Sequence, residues 1–387
     1  MVSTTAVMET QFTEVFKTRL AAEDDAAVRE LRERAFTYFA ENGYPTVRHE
    51  DWKYTNVAAI GKDSWNVVSA GIELEHEDPG VRAHAMLEKF RFDRNGFTAL
   101  NLALGEVAVI KIAKDTSVDE PIELNFSAAD SSAIFPHVVV IAEAGSKATI
   151  VESYSSPAKG FTNAAVQIVV EDNANLMHYR VQKDSADAFH YGVTEVVIGR
   201  GGSYDTTNIN LGGAIARHDI DVKFTAEGGE AWVDGLYMLN GSQHSDTHSS
   251  IDHTVPNCIS HQTYKGVLND TSRGVFNGKV FVRENAHGTD AQQSNKNLLL
   301  SNDARVDTKP QLEIFNDDVK CSHGATVGQL EDEELFYLLT RGIPETLAKN
   351  LLTYGFAEEI INKIEIEAIK SELDAAVLNR LNTKLEG

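Results

Sequence analysis

Apolar positions along this chain follow a helical rhythm at both ends and a strand rhythm between them. Val28, Leu31, Ala35 and Phe39 recur every three or four residues after Asp24 and Asp25. That spacing predicts an amphipathic helix with an acidic N-cap, stopped by Gly43 and Pro45. The stretch His49, Glu50, Asp51, Trp52, Lys53, Tyr54, Thr55, Asn56 is too polar for a core strand and predicts a surface loop anchored by Trp52 and Tyr54. Its chemistry indicates no role.

From about residue 96 to 329 the pattern changes to β-branched runs bounded by turn residues, at 107–112, 137–141, 148–151, 166–170 and 193–198. Turns at Gly145, Asn173, Gly201 and Gly228 precede new strands, in steps of 28, 28 and 27 residues. A fixed period of that size predicts stacked coils of one β-rich unit, each burying its apolar face on its neighbours. No helical pattern interrupts it, which argues against an α/β fold. An antiparallel sandwich would turn about every 8–12 residues. Beyond about Gly241 the period fails, so irregular coils or insertions are expected there.

Helical patterning returns at Glu331, with an acidic first turn, then Leu335, Phe336, Leu338 and Leu339, ended by Gly342. Pro344 suits the start of a second helix over 345–354, closed by Gly355. A third is predicted from about Ala357 to Leu385 on the stripe Ile360, Ile364, Leu373, Val377, Leu381 and Leu385. The expected organisation is a helical region over 1–95, a parallel β-helix core over 96–330 and a helical region over 331–387. The last would cap the open end of the solenoid or dock a partner.

The chain carries 58 acidic and 35 basic side chains in 387 residues, a net charge of −23. Such a surface repels polyphosphate, so nucleic acid is not an expected partner. The apolar run 138–142 is far short of the roughly 20 residues a membrane helix needs. Met1 to Gln11 lacks a basic segment followed by an apolar one, so no secretory signal is read. Two cysteines, Cys258 and Cys321, make no disulfide framework. Together these predict a cytoplasmic protein that does not enter membranes.

Nucleotide fingerprints fail. Gly274 to Val280 has one residue too few between its glycines and Val280 where a phosphate loop needs Ser or Thr, and the glycines at 199–202 lack the third of a dinucleotide loop. No nucleophile elbow is present. Clustered carboxylates on a solenoid leave a metal-dependent or carbohydrate-active enzyme as an alternative, by fold analogy alone.

Six of the thirteen histidines (His244, His248, His253, His261, His287, His323) fall between Gly241 and Gly324 with both cysteines. His244, Asp246 and His248 share one strand face, but no fixed ligand spacing is met, and a solvated polar face is the preferred reading. Cys258 and His261 match no closed zinc pattern; with His253 they are the secondary metal candidates. Cys321 and His323 are the primary pair. Two residues apart on a strand, they project a thiol and an imidazole in one direction, and adjacent Lys320 would favour the thiolate. A cluster or a structural zinc takes four ligands, so this is half a site and implies an interface.

These residues resemble a known family. The run VDTKPQLEIFNDDVKCSHGATVG over 306–328, continued by DEELFYL at 332–338 and RGI at 341–343, is similar to the signature of the SufB/SufD family of iron–sulfur cluster assembly proteins. RGVFNG at 273–278 and NKNLLL at 295–300 fit the same family, and EDWKYT at 50–55 points to its SufD branch. The resemblance implies a right-handed parallel β-helix between N- and C-terminal helical domains, and a non-catalytic scaffold. It implies a heterodimer with a SufB-like subunit through the β-helix, and a SufC-like ABC ATPase carried on 331–387 that hydrolyses the ATP. It further implies that Cys321 and His323 lie near the SufB interface and serve a transient cluster or iron there, with nothing held tightly by the isolated chain. A lone chain is expected to form a homodimer through the same β-helix strands.

Overall fold

The computed structural model describes residues 9–72 and 81–380. Five helices precede the solenoid: α1 (Thr13–Ala21), α2 (Ala26–Asn42), α3 (Ala58–Lys62), α4 (Val81–Lys89) and α5 (Gly96–Leu104). Asp25 caps α2, its carboxylate accepting from the backbone N–H of Ala27 at 2.8 Å and of Val28 at 3.2 Å. Gly43 ends the helix with φ of +62°, a left-handed conformation that suits glycine. The buried face of α2 (Leu31, Ala35, Phe36, Phe39) packs beside α5, which is buried along its whole length. Both sit on Phe161, Phe189 and Val193, the outer face of one solenoid wall.

The β-helix is built from two parallel sheets of ten and eight strands. From Pro136–Ala142 on, successive strands alternate between the walls, so each of these coils gives one strand to each. In the eight-stranded wall Asn175, Ser203, Glu230, Ile259, Asp290 and Lys320 stand in one register column. The corners explain the period. Asp115, Gly145, Asn173, Gly201, Gly228, Asn257 and Gly288 all have φ between +55° and +77°. Their N–H groups donate up the stack: Asp115 to Ala144, Gly145 to Asp172, Asn173 to Arg200, Gly201 to Glu227. A left-handed residue costs about 1–2 kcal/mol unless it is glycine, or to a lesser degree Asn or Asp, and these are the residues present.

The period does not fail after Gly241. Coils take 26 to 28 residues per turn between Phe161 and Glu230 and 29 to 32 from there to the end. In the eight-stranded wall the strands lengthen from eight residues, at Asn175–Gln182 and Ser203–Asn210, to ten or eleven from Glu230 on, so most of the added length lies in the strands themselves. A lengthening step hides a repeat from a fixed-period reading while leaving the stack regular.

Inside, aromatic rings lie across the glycines of neighbouring coils. A Cβ on Gly235 would stand 2.2 Å from the Tyr264 ring, and one on Gly266 would stand 2.3 Å from the Tyr237 ring. The lumen also holds buried charge: His190 bridges Asp184 at 2.9 Å and Arg180, and His178 faces Glu152 at 3.2 Å.

Three helices follow the last coil: α6 (Asp332–Thr340), α7 (Glu345–Ile361) and α8 (Glu367–Arg380). Gly355 does not close α7. A helical glycine costs only about 1 kcal/mol, and burial of Ala357, Ile360 and Ile361 against the solenoid outweighs it. Leu381 and Leu385 of the predicted stripe lie outside the described residues. Nor do these helices cap the open end. Ile360, Ile364, Leu373 and Val377 pack on Tyr179, Ile209, Leu236 and Met238, the outer face of the eight-stranded wall. The terminal strands, Arg305–Ile314 and Val319–Gly328, keep a free edge among the described residues. Among those residues no helix is long and apolar enough to cross a membrane.

Lumen packing and corner strain separate by substitution. Gly235→Ala drives a methyl into a fully enclosed ring and should cost about 1–3 kcal/mol or more. Gly228→Ala meets only ordinary contact with the Gly201 backbone at 3.9 Å and carries the left-handed penalty of about 1–2 kcal/mol. Urea unfolding of both should rank Gly235→Ala as the weaker protein; the reverse order would refute the packing account.

Candidate functional site

Strand register decides where Cys321 and His323 point. In the terminal strand Val319–Gly328, Cys321 pairs with Ala291 and His323 with Gln293. Ala291 and Gln293 are buried lumen residues, so Cys321 and His323 continue two inward columns at the last coil. Cys321 is half-buried against the core, and His323 is exposed because no further coil covers it. The pair therefore opens on the mouth of the lumen.

Lys320 does not activate the thiol. It alternates to the opposite face of the strand, and burial pushes the Cys321 thiol up, with Asp290 adding in the same direction. A metal would have to displace the thiol proton on binding.

The secondary candidates are not brought to this mouth. Cys258 is fully buried, its Sγ 3.4 Å from the Pro256 carbonyl and 3.6 Å from that of Ala226, and burial raises its thiol too. His253 lies in the lumen, its Nε2 2.8 Å from Ser260 Oγ and its ring 4.6 Å from Phe224, with its pKa lowered to about 4 by burial. His261 is on the outer face of its wall, 4.4 Å from the Trp232 ring. Among the described residues no group of three or more His, Cys, Asp or Glu side chains is arranged to hold a metal. Cys321 and His323 are thus a soft two-donor pair that needs ligands from elsewhere to close a four-ligand site.

The structure assembles a second polar centre that the sequence reading passed over. The segment predicted as a surface loop is a clamp: Trp52 is buried, stacked 5.4 Å from Phe97 and 5.9 Å from Tyr191, with the Arg217 guanidinium 3.8 Å over its ring. Arg217 is itself buried and binds Asp219 and Asp246, each at 2.9 Å. Thr55 donates to Asp246 at 2.5 Å and meets His244 at 2.8 Å; His248 sits 3.1 Å from Asp246. Arg94 joins Asp221 at 2.7 Å. His244, Asp246 and His248 do share a face, but they surround a guanidinium and not a metal. A cavity of about 240 Å³ adjoins the cluster. The signal available was the alternation of charged residues, Arg217, Asp219 and Asp221 on one strand and His244, Asp246 and His248 on the next, legible only once the coils are in register.

The chain matches two family descriptions: SUF system FeS cluster assembly, SufBD core domain, over residues 125–356, and SufBD protein N-terminal region, over residues 6–81. It is 37% identical over 295 residues to an iron–sulfur cluster assembly SufBD family protein of Synechocystis, covering 73% of this chain and 65% of that one. It is 30% identical over 380 residues to the iron–sulfur cluster assembly protein SufD of Escherichia coli, covering 88% and 90% respectively. The SufD of Bacillus subtilis is 28% identical over 316 residues, covering 78% and 70%.

The clamp can be tested through its charge. Arg217 holds Asp219 and Asp246 below the usual carboxylate range against the opposing effect of burial. Folded values below the unfolded ones confer stability that is present above roughly pH 4 and lost as the pH falls further. Arg217→Met leaves both acids buried without that partner, which should cost about 3–5 kcal/mol at neutral pH. Their folded values then rise, protonation favours the fold, and the deficit against wild type should shrink as the pH falls. Urea unfolding at neutral and acidic pH measures this. A deficit independent of pH would show that Arg217 is not their counter-charge.

Proposed function

The chain belongs to the SufBD family of iron–sulfur cluster assembly proteins, and from that premise we propose that it is a SufD-type scaffold subunit. In this reading Cys321 and His323 contribute ligands to a transient cluster, or to the iron entering it, and a SufB-like subunit completes the site. One observation carries it: the primary soft donor pair of the sequence stands at the mouth of the lumen, on a terminal strand whose edge is free among the described residues. The family relationship, not the fold, sets aside a carbohydrate-active solenoid.

The geometry supports each role. Thiolate and imidazole suit iron, and a pair of them leaves coordination positions open for a second chain. The free edges of Arg305–Ile314 and Val319–Gly328 offer unpaired N–H and C=O groups, with Ile314, Phe315 and Val327 exposed beside them. A β-helix of like construction can pair there across a two-fold axis, and in its absence a second copy of this chain can do so. A SufC-like ABC ATPase is assigned to the C-terminal helices. Helix α6 buries no residue, and Phe336 and Tyr337 are more than half exposed on it, an apolar surface that a partner would cover.

Two measurements test this. In Cys321→Ser and His323→Ala, subunit assembly and melting temperature should hold, while iron and sulfide on the anaerobically reconstituted complex fall by roughly ten-fold or more. Cys258→Ser should leave cluster content near wild type, its loss showing as lower stability. Normal cluster content in the Cys321→Ser/His323→Ala double variant would end the site assignment. For the ATPase dock, Phe336→Asp with Tyr337→Asp should abolish SufC binding in a pull-down without lowering the melting temperature, because neither side chain is buried. Retained SufC binding would move the dock elsewhere.

A further inference from the structure

Behind Cys321 and His323, the lumen holds polar atoms whose hydrogen-bonding capacity is unused. Gln293 stands next to His323 in strand register, one coil deeper, and is 3% exposed. Its amide nitrogen donates to Gln262 Oε1 at 2.7 Å, and that same oxygen accepts from the Ser249 hydroxyl at 3.0 Å. With the nitrogen end committed to the deeper coil, Gln293 Oε1 is left buried with no hydrogen-bond partner among the described residues. Thr308 Oγ1 is in the same condition. It belongs to the terminal strand of the facing wall, where it continues the inward column of Phe276. The Gln293 amide reaches across to Gly278, where a Cβ would stand 2.2 Å from its nitrogen, so a glycine clears the space that the amide occupies. Buried carbonyl oxygens are almost always partnered, and one left free on the residue paired in register with His323, as is the Gln262 amide nitrogen one coil deeper, needs an explanation.

We propose that Gln293 Oε1 is a third ligand at this mouth, so that the chain by itself holds one ferrous ion on Cys321 Sγ, a His323 ring nitrogen and Gln293 Oε1. The inference rests on the reading of Cys321 and His323 as metal ligands. Neighbouring strands are about 4.8 Å apart, which lets side chains of adjacent coils converge on one centre. A mixed sulfur, nitrogen and oxygen set with positions left open suits iron in transit, whereas a closed sulfur and nitrogen set would suit structural zinc. An amide oxygen is neutral and weakly held, appropriate for an ion that must leave.

The test is anaerobic titration of the full-length isolated chain with Co²⁺ as a stand-in for Fe²⁺, read by thiolate-to-metal charge-transfer absorption. Wild type should bind one equivalent per chain. Gln293→Met keeps the side chain's length without its oxygen and should bind ~10-fold or more weakly. Gln293→Glu keeps an oxygen in place and should bind at least as tightly as wild type. Melting temperatures without metal report on folding. Wild-type affinity in Gln293→Met, with the signal lost in Cys321→Ser, overturns the role of Gln293 alone. A signal unchanged in Cys321→Ser/His323→Ala overturns the underlying site and this inference with it. No absorption in wild type, or half an equivalent per chain, overturns the one-chain site while leaving a site shared between subunits standing. Should Gln293→Met not fold, Gln293→Glu decides: a folded variant that binds no cobalt refutes the proposal.

Discussion

Everything in this molecule hangs on the backbone ladder that joins one coil to the next. A parallel coil can lie flush on its neighbour only if the chain turns the same corner each time, and the corner needs a residue with positive φ. The stack from Asp115 through Gly145, Asn173, Gly201, Gly228 and Asn257 to Gly288 supplies it. Once that register is set, every side chain belongs to a column, and each column is wholly inward or wholly outward. Function follows from column membership. Cys321 and His323 face the lumen mouth because Ala291 and Gln293 face the lumen.

The same ladder creates the vulnerability that the fold exploits. A solenoid without a cap ends in a free edge, and among the described residues the C-terminal helices leave it free by packing on the flank of the eight-stranded wall. Burial of Ile360, Ile364, Leu373 and Val377 holds them there, reinforced by Lys265, whose ammonium donates to the Phe356 carbonyl at 2.9 Å. With one flank covered by these helices and the other by α2 and α5, the end is the natural place for another chain to add on. The soft donors stand at that end. A metal ion bound there, as proposed, would be shielded by the lumen on one side and open on the other.

The Trp52 clamp shows how the outer columns are used. Arg217, Asp219 and Asp246 are buried charges on the ten-stranded wall, and such charges are tolerated only when paired and hydrogen-bonded. The segment 49–56 covers them, Trp52 stacking on the guanidinium and Thr55 donating to Asp246. It ties the N-terminal helices to the middle coils of that wall.

Local chemistry along the chain did not indicate the N-terminal helices other than α2, but was enough to indicate α2 with its Asp25 cap, a helical C-terminal region, the strand runs, the corner residues up to Gly228 and the pairing of Cys321 with His323 on one face. These depend on neighbours within a few residues, which a sequence states directly. The family resemblance was carried by contiguous runs such as 306–328, equally local. What the sequence could not state was anything set by contacts roughly thirty residues apart. The lengthening coils after Gly241 conceal their repeat from a fixed period. Gly355 reads as a helix stop until the burial of Ile360 and Ile361 overrides it. Lys320 sits beside Cys321 in the chain but across the strand in space, so burial and not charge governs the thiol. His244, Asp246 and His248 look like a solvated face until Arg217, one coil away, and Thr55, from a distant segment, close around them. Gln293 stands beside His323 only through strand register. Register is a property of the stacked coils, fixed by hydrogen bonds between them, and no single coil contains it.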